Sequence, residues 1–354
     1  MIKFDNVEKR IVNTYLETYP DFYPDKIFDE KSQREFYNFL KSVYHLIYEE
    51  PERLFSKVHP DGFFIHRFNK SSDNMPELEK NIRYAIRCVD ELNKTLISMM
   101  TQGVLKDTTL TVPKEVKVSS RIKNILEASG ITNVTEKEKT EYIIPSPALA
   151  NGWRLMANRY KEDLPSFSRS MFDPDHSYVS DIYSRLLKSR ESFSVLENFL
   201  NETGYIRTIN RNGKFNLDYS KDYGKKPSAL KDPWAERNHA GISLQYDCFV
   251  EKAALLTIRI PLWKVLLSKF SSMDDELKEF VTENALQCIE CGYCIQTDKT
   301  GQAKLKNVEV SCNDKKIKIC PYFPGYNFTF TEINKDTAEI IIKFLKWIDK
   351  TLNE

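Results

Sequence analysis

Three cysteines at intervals of three, Cys288-Ile-Glu-Cys291-Gly-Tyr-Cys294, are followed by Cys312 and by Cys320-Pro321. No other feature of the chain restricts its folding as much. Thiols at that spacing wrap a tight turn so that their sulfurs face a common point, and Gly292 lets the backbone pass beneath it. Five of the seven cysteines of the 354-residue chain lie between Cys288 and Cys320, unlike the even spread of a disulfide framework. The chain opens on Met-Ile-Lys-Phe-Asp-Asn, without the apolar stretch of a signal peptide. Clustered thiols in such a chain lead to the expectation of a metal held by reduced thiolates in a cytoplasmic protein.

The choice among five thiols follows from strand alternation. Val308-Glu-Val-Ser-Cys312 and Ile317-Lys-Ile-Cys320 read as the two arms of a hairpin. With Asp314-Lys315 as its turn, Cys312 opposes Ile317 and shares the apolar face of Val308 and Val310, while Cys320 opposes Glu309 on the other face. The expected ligands are then Cys288, Cys291, Cys294 and Cys320. A one-residue slip would bring Cys312 onto the face of Cys320 as the alternative ligand. Four thiolates suit Zn2+ in a zinc-ribbon or treble-clef knot. Cys-x-x-Cys-Gly-x-Cys with a later Cys-Pro also resembles the bacterial ferredoxin run, which makes a [4Fe–4S] cluster the alternative. That run closes with a spacing of three, whereas 25 residues separate Cys294 from Cys320.

Residues 288–330, with Cys-Gly-Tyr-Cys-Ile-Gln-Thr-Asp-Lys-Thr-Gly and Cys-Pro-Tyr-Phe-Pro-Gly-Tyr, resemble the tails of a group of uncharacterised bacterial proteins. The likeness extends into the preceding strands and Ile260-Pro-Leu-Trp263. It implies a shared metal-binding fold and no particular chemistry.

The remainder of the chain reads as α+β in three regions. Residues 1–115 are mostly helical. Ser32-Gln-Arg-Glu35 has the pattern of a capping box, followed by Phe36, Leu40, Val43, Tyr44 and Ile47 at helical spacing. A second helix starts near Asn74 and stops at Gly103, with Leu78, Ile82, Ala85, Val89, Leu92, Leu96 and Met100 as its stripe and Cys88 at the border. Between them Phe63-Phe-Ile-His66-Arg-Phe68 reads as a strand, and the polar stretch Thr101 to Lys117 as a boundary. Residues 116–271 mix helices, one of them running from about Ser177 to Glu202, with antiparallel hairpins. Tyr205 to Ile209 and Phe215 to Tyr219 flank Asn210-Arg-Asn-Gly213, and Ile242 to Phe249 and Ala254 to Ile260 form a second pair. Residues 272–354 hold the four-cysteine knot between two helices, the last capped by Asn334.

Composition limits the function classes. Lys+Arg 52 against Asp+Glu 51 leaves a net charge of +1, so the chain as a whole is neither a strongly basic nucleic-acid binder nor a polybasic membrane protein. Arg207, Arg211, Lys214, Lys225 and Lys226 cluster around one hairpin, but balancing acids make this a solvated face. No run of about eighteen apolar residues occurs. Gly-rich phosphate loops, paired-His metalloprotease motifs and nucleophile elbows are missing.

Two loops carry further candidate chemistry. Asp173-Pro-Asp175-His176 could supply a general base or hold a metal, against the plainer reading of a capped turn. Trp234-Ala-Glu236-Arg237-Asn-His239 closes the long polar loop 221–240 and could clamp a ligand. The expected function is a metal-binding protein acting as a binding or regulatory module, with its small ligand or protein partner in a pocket between the helical part and the sheet. The alternatives are an iron–sulfur redox or sensor protein, and a hydrolase or transferase using Asp175, His176 or His239. No catalytic residue is assigned by sequence.

Overall fold

The structure, a computed structural model, describes residues 5–60, 75–187, 189–210, 216–223, 239–246, 254–288, 296–297, 303–304, 307–313, 315–321 and 327–353. The chain is α+β and divides into two compact units. One comprises residues 1–182 with 211–215 and 246–253, the other 183–210, 216–245 and 254–354.

In the first unit, α1 (Val7–Glu17) is capped by Asn6, whose Oδ1 accepts the Lys9 N–H at 2.7 Å. The next helix, α2 (Glu30–Glu49), begins earlier than the capping-box pattern indicates. Asp29 is the cap, accepting both the N–H and the hydroxyl of Ser32 at 2.8 and 2.6 Å. Glu35 is drawn away to accept from the Ser146 hydroxyl. Then α3 (Met75–Gln102) carries Pro76 in its first turn and ends before Gly103, as its sequence signals require.

The polar stretch Thr101 to Lys117 contains a hairpin of β1 (Val104–Lys106) and β2 (Thr109–Pro113). Its polar composition conceals the alternation that buries Leu110 and Val112. After α4 (Ser120–Ala128), β3 (Thr132–Thr135) and β4 (Lys139–Ile143) complete a four-stranded antiparallel sheet in the order β1-β2-β4-β3. Gly130, at φ +89°, turns the chain out of α4 as an αL cap, with the Ile131 N–H donating to the Leu126 carbonyl at 2.8 Å. The unit continues with α5 (Pro147–Arg159) and α6 (Leu164–Phe167).

The single helix expected from Ser177 to Glu202 is two helices, α7 (Tyr178–Leu186) and α8 (Arg190–Glu202). Ser189 separates them because its extended backbone, at φ −151°, and its side chain cap α8 by accepting the Ser192 N–H.

The core of the first unit lies where α2 crosses α5 and α3 packs on α1 and α5. Phe36, Leu40, Tyr44, Val89, Leu96, Trp153 and Phe167 fill it. Within it Arg169, only 2% exposed, donates from Nε to Thr18 Oγ1 and from Nη1 to Ser168 Oγ, both at 3.0 Å.

In the second unit, β5 (Ile206–Asn210), β6 (Asn216–Asp222), β7 (His239–Tyr246), β8 (Ala254–Arg259) and, later in the chain, β13 (Asn327–Phe330) form one sheet in the order β13-β8-β7-β6-β5. Next come α9 (Trp263–Ser268), α10 (Asp275–Asn284) and the two-residue strands β9 (Gln296–Thr297) and β10 (Ala303–Lys304). The β11 (Val308–Cys312) and β12 (Lys315–Ile319) hairpin follows, then β13 (Asn327–Phe330) and α11 (Lys335–Asn353). Asn334 caps α11 as expected, its Oδ1 accepting the Thr337 N–H at 2.7 Å. Phe328 on β13 packs against Trp263, Phe280 and Phe344 with ring centroids 5.7, 5.6 and 5.4 Å away.

Candidate functional site

In the β11–β12 hairpin Cys312 pairs with Lys315 and Val310 with Ile317. Asn313 takes φ +48°, a conformation that Asn adopts more readily than most residues. The pairing is displaced by two residues from the expected one, and an even displacement preserves faces. Cys312 is buried on the side of Val310 and Ile319. On the other side, the Cys288 N–H donates to the Lys318 carbonyl at 2.7 Å, and the Cys320 N–H donates to the Leu286 carbonyl at 2.9 Å. These bonds flank the bridge Gln287↔Ile319, so Cys288 and Cys320 share one face as diagonal neighbours.

Cys291 and Cys294 lie outside the described residues. Among the described residues, no group of three or more His, Cys, Asp or Glu side chains gathers where it could hold a metal ion. The expected metal-binding function is corrected on this ground. Cys312 faces away from Cys288 and Cys320.

Asp175 and His176 do not converge on a reaction centre. Asp173 Oδ1 accepts the Asp175 N–H at 2.9 Å, a local turn that leaves Asp175 exposed. The His176 ring stacks on Tyr23 at 3.6 Å, and its Nε2 lies 2.6 Å from Asp181 Oδ2 at the start of α7. The capped-turn reading fits this loop, and the hydrolase or transferase assignment to it is corrected. His239 opens β7 opposite Asp222, as part of a backbone ladder. His66, Arg211, Lys214 and residues 224–238, including Trp234, Glu236 and Arg237, lie outside the described residues.

A different site is built by α1, α3 and the segment joining α2 to α3. The start of α1 is stitched to that segment by the bridge Asn6↔Pro60 and by the Val7 N–H donating to the His59 carbonyl at 3.0 Å. This places Glu8, in the first turn of α1 and fully buried, against His59. The Glu8 carboxylate accepts the His59 backbone N–H through Oε2 at 2.9 Å, and its Oε1 lies 2.7 Å from His59 Nδ1. A buried carboxylate needs such donors, and the positive end of α1 favours its charge further.

Across from His59, Tyr84 on α3 fixes the segment. Its Oη accepts the Ser56 N–H at 2.9 Å and lies 2.6 Å from Ser56 Oγ, while its ring meets the His59 ring edge-on at 6.1 Å. Between these walls is a cleft of about 730 Å3. Glu77, Lys80, Asn81, Arg83, Tyr84 and Arg87 of α3 line it, facing Ser56, Lys57 and His59. The Arg87 guanidinium lies 6.0 Å from the Tyr84 ring centroid. Among the described residues, the lining of the cleft thus carries four cations, Lys57, Lys80, Arg83 and Arg87, and the carboxylate of Glu77.

A second cavity, of about 440 Å3, lies between α2, the end of α4 and the start of α5. Its one charged group, Glu35, already accepts from Ser146, which leaves that cavity without a comparable charge signature.

Sequence reading missed every residue of this cleft. The polar spacing of Glu77, Lys80, Tyr84 and Arg87 along α3 was available as a signal. The Glu8–His59 contact, across 51 residues, had none. No known protein family, curated protein or solved structure matches the chain. Among the described residues, no helix is long and apolar enough to cross a membrane.

Proposed function

We propose that the cleft between α3 and the Ser56–His59 segment binds a small molecule carrying phosphate groups. The observation that supports this reading is the convergence of Lys57, Lys80, Arg83 and Arg87 on one cleft. Guanidinium groups match the geometry of phosphate oxygens and hold them by paired charge-assisted hydrogen bonds, while lysines add compact positive charge. The cleft volume falls in the range of about 300–1,000 Å3 usual for small-molecule sites. Ser56 and Tyr84 add hydroxyls to the lining, and Asn81 adds an amide.

Calorimetric titration with inorganic pyrophosphate tests the reading. Binding is expected to weaken as salt rises, because exposed charges are screened over about 8–10 Å at ordinary ionic strength. Lys80→Ala and Arg87→Ala, both at exposed positions of α3, should together weaken binding at least tenfold, since each charge-assisted bond contributes about 1.5–3 kcal/mol. No binding to the unaltered protein, or unchanged binding in the double variant, would show the reading to be wrong.

A further inference from the structure

The geometry points to His59 as a catalytic general base in this cleft, acting in the hydrolysis of a phosphoric ester; the inference rests on the phosphate-binding reading and names its substrate class. Glu8 takes two donors from the same residue, the His59 backbone N–H at 2.9 Å and Nδ1 at 2.7 Å. Backbone and ring are therefore held together, and the ring has one orientation rather than two. With Nδ1–H committed to the carboxylate, the lone pair of the neutral imidazole is on Nε2.

His59 lines the cleft and is 25% exposed in its side chain, whereas Glu8 is wholly shielded. The carboxylate thus holds the ring from the buried side, while the ring itself is partly exposed. This is the division of labour of a carboxylate–histidine pair in which the imidazole moves the proton and the carboxylate orients it and faces the charge that develops on it. His59 would be the catalytic residue and Glu8 a positioning residue.

The step balances with water as the only co-reactant. A water in the cleft gives one proton to Nε2 as its oxygen bonds to phosphorus. The bond from phosphorus to the ester oxygen breaks, that oxygen leaves as an alcohol after taking a proton from solvent, and the imidazolium returns its proton to solvent. Lys80, Arg83 and Arg87 would hold the non-bridging oxygens, on which charge is spread in the transition state.

The test uses the full chain with p-nitrophenyl phosphate and bis(p-nitrophenyl) phosphate as probes, following release of p-nitrophenolate. The informative variant is His59→Asn. An Asn amide can donate to Glu8 from the position of Nδ1–H, so the buried carboxylate stays satisfied, but nothing remains at the place of Nε2. The unaltered protein is expected to turn over at least one ester, and His59→Asn to lose about 100-fold or more in kcat while binding pyrophosphate as before. Glu8→Gln should lower kcat while the stoichiometry of pyrophosphate binding stays that of the unaltered protein, whereas loss of folded protein would lower the stoichiometry in step with kcat. If the protein binds pyrophosphate but hydrolyses neither ester, or if His59→Asn is as active as the unaltered protein, the catalytic role is overturned and the binding reading survives. Failure to bind pyrophosphate would overturn both.

Discussion

Tyr44 Oη lies 2.9 Å from Asn93 Oδ1 and 2.9 Å from the Ser168 carbonyl oxygen, inside a core that leaves no part of the tyrosine exposed. Ser168 also accepts from the buried Arg169 through its hydroxyl, and the Arg169 guanidinium lies 5.1 Å from the Tyr15 ring centroid. Beside them Ser170 holds φ +48° and meets the Tyr19 hydroxyl at 2.7 Å. This layer of phenols around one guanidinium is polar packing that hydropathy does not reveal, since Arg is rarely buried. Removing this hydroxyl takes away the one proton that two buried acceptors share. Tyr44→Phe should therefore lower the free energy of unfolding by about 1–3 kcal/mol. Urea denaturation measures this, and a change within error of zero would mean that water or rearranged neighbours satisfy Asn93 and Ser168.

Between elements, the crossing of α2 and α5 depends on a glycine in mid-helix, a position that helix propensity alone disfavours. A Cβ on Gly152 would lie 2.0 Å from the Ser32 carbonyl oxygen and 2.8 Å from its carbon. Both are backbone atoms of α2, so the clash cannot be relieved by turning a side chain. Gly152→Ala gains helix propensity but must push the helices apart, and overpacking of this kind costs about 1–3 kcal/mol or more. A lowered melting temperature is expected, where an exposed helical glycine would give a raised one. The β11–β12 hairpin shows the opposite balance between local and tertiary effects. There a local preference of Asn313 selects the turn, and the burial of Val310, Cys312 and Ile319 keeps the faces in place.

Over the whole molecule, phenols are buried in both units. Burial is the largest cause that pushes the hydroxyls of Tyr15, Tyr19 and Tyr44 in the first unit, and of Tyr205, Tyr219 and Tyr223 in the second, above the ordinary tyrosine value. It also pushes Tyr142 up to about 12. In the unfolded chain these groups ionise near pH 10. Above that pH the unfolded state binds fewer protons than the native state, so stability falls as pH rises, and the stabilisation from keeping the phenols neutral is intact below it. Alkaline titration should thus show tyrosinate absorbance appearing together with loss of helical circular dichroism above about pH 10. Ionisation of these phenols with the helices intact would contradict their burial.

The α+β class was legible in the sequence because the signals behind it are local. Period 3.6 along α3 and α11, period two through β5 and β6, the αL glycine after α4 and the Asn334 cap each act within a few residues. The opposite faces of Cys312 and Cys320 were legible for the same reason, even with the turn misplaced. Where local signals competed, the reading slipped: Asp29 displaced Ser32 as a cap, and Ser189 divided one helical pattern into two. The cysteine spacing pointed to a metal, but whether thiols gather depends on how β11, β12 and the segment at Cys288 pair; among the described residues Cys288 and Cys320 share a face and no group of three or more ligating side chains forms. The cleft belonged to the tertiary structure alone. It forms because the packing of α1 against α3 brings Glu8 to His59 and Tyr84 to Ser56. Neither pair shares an element, so no periodicity in the chain could place one residue beside the other.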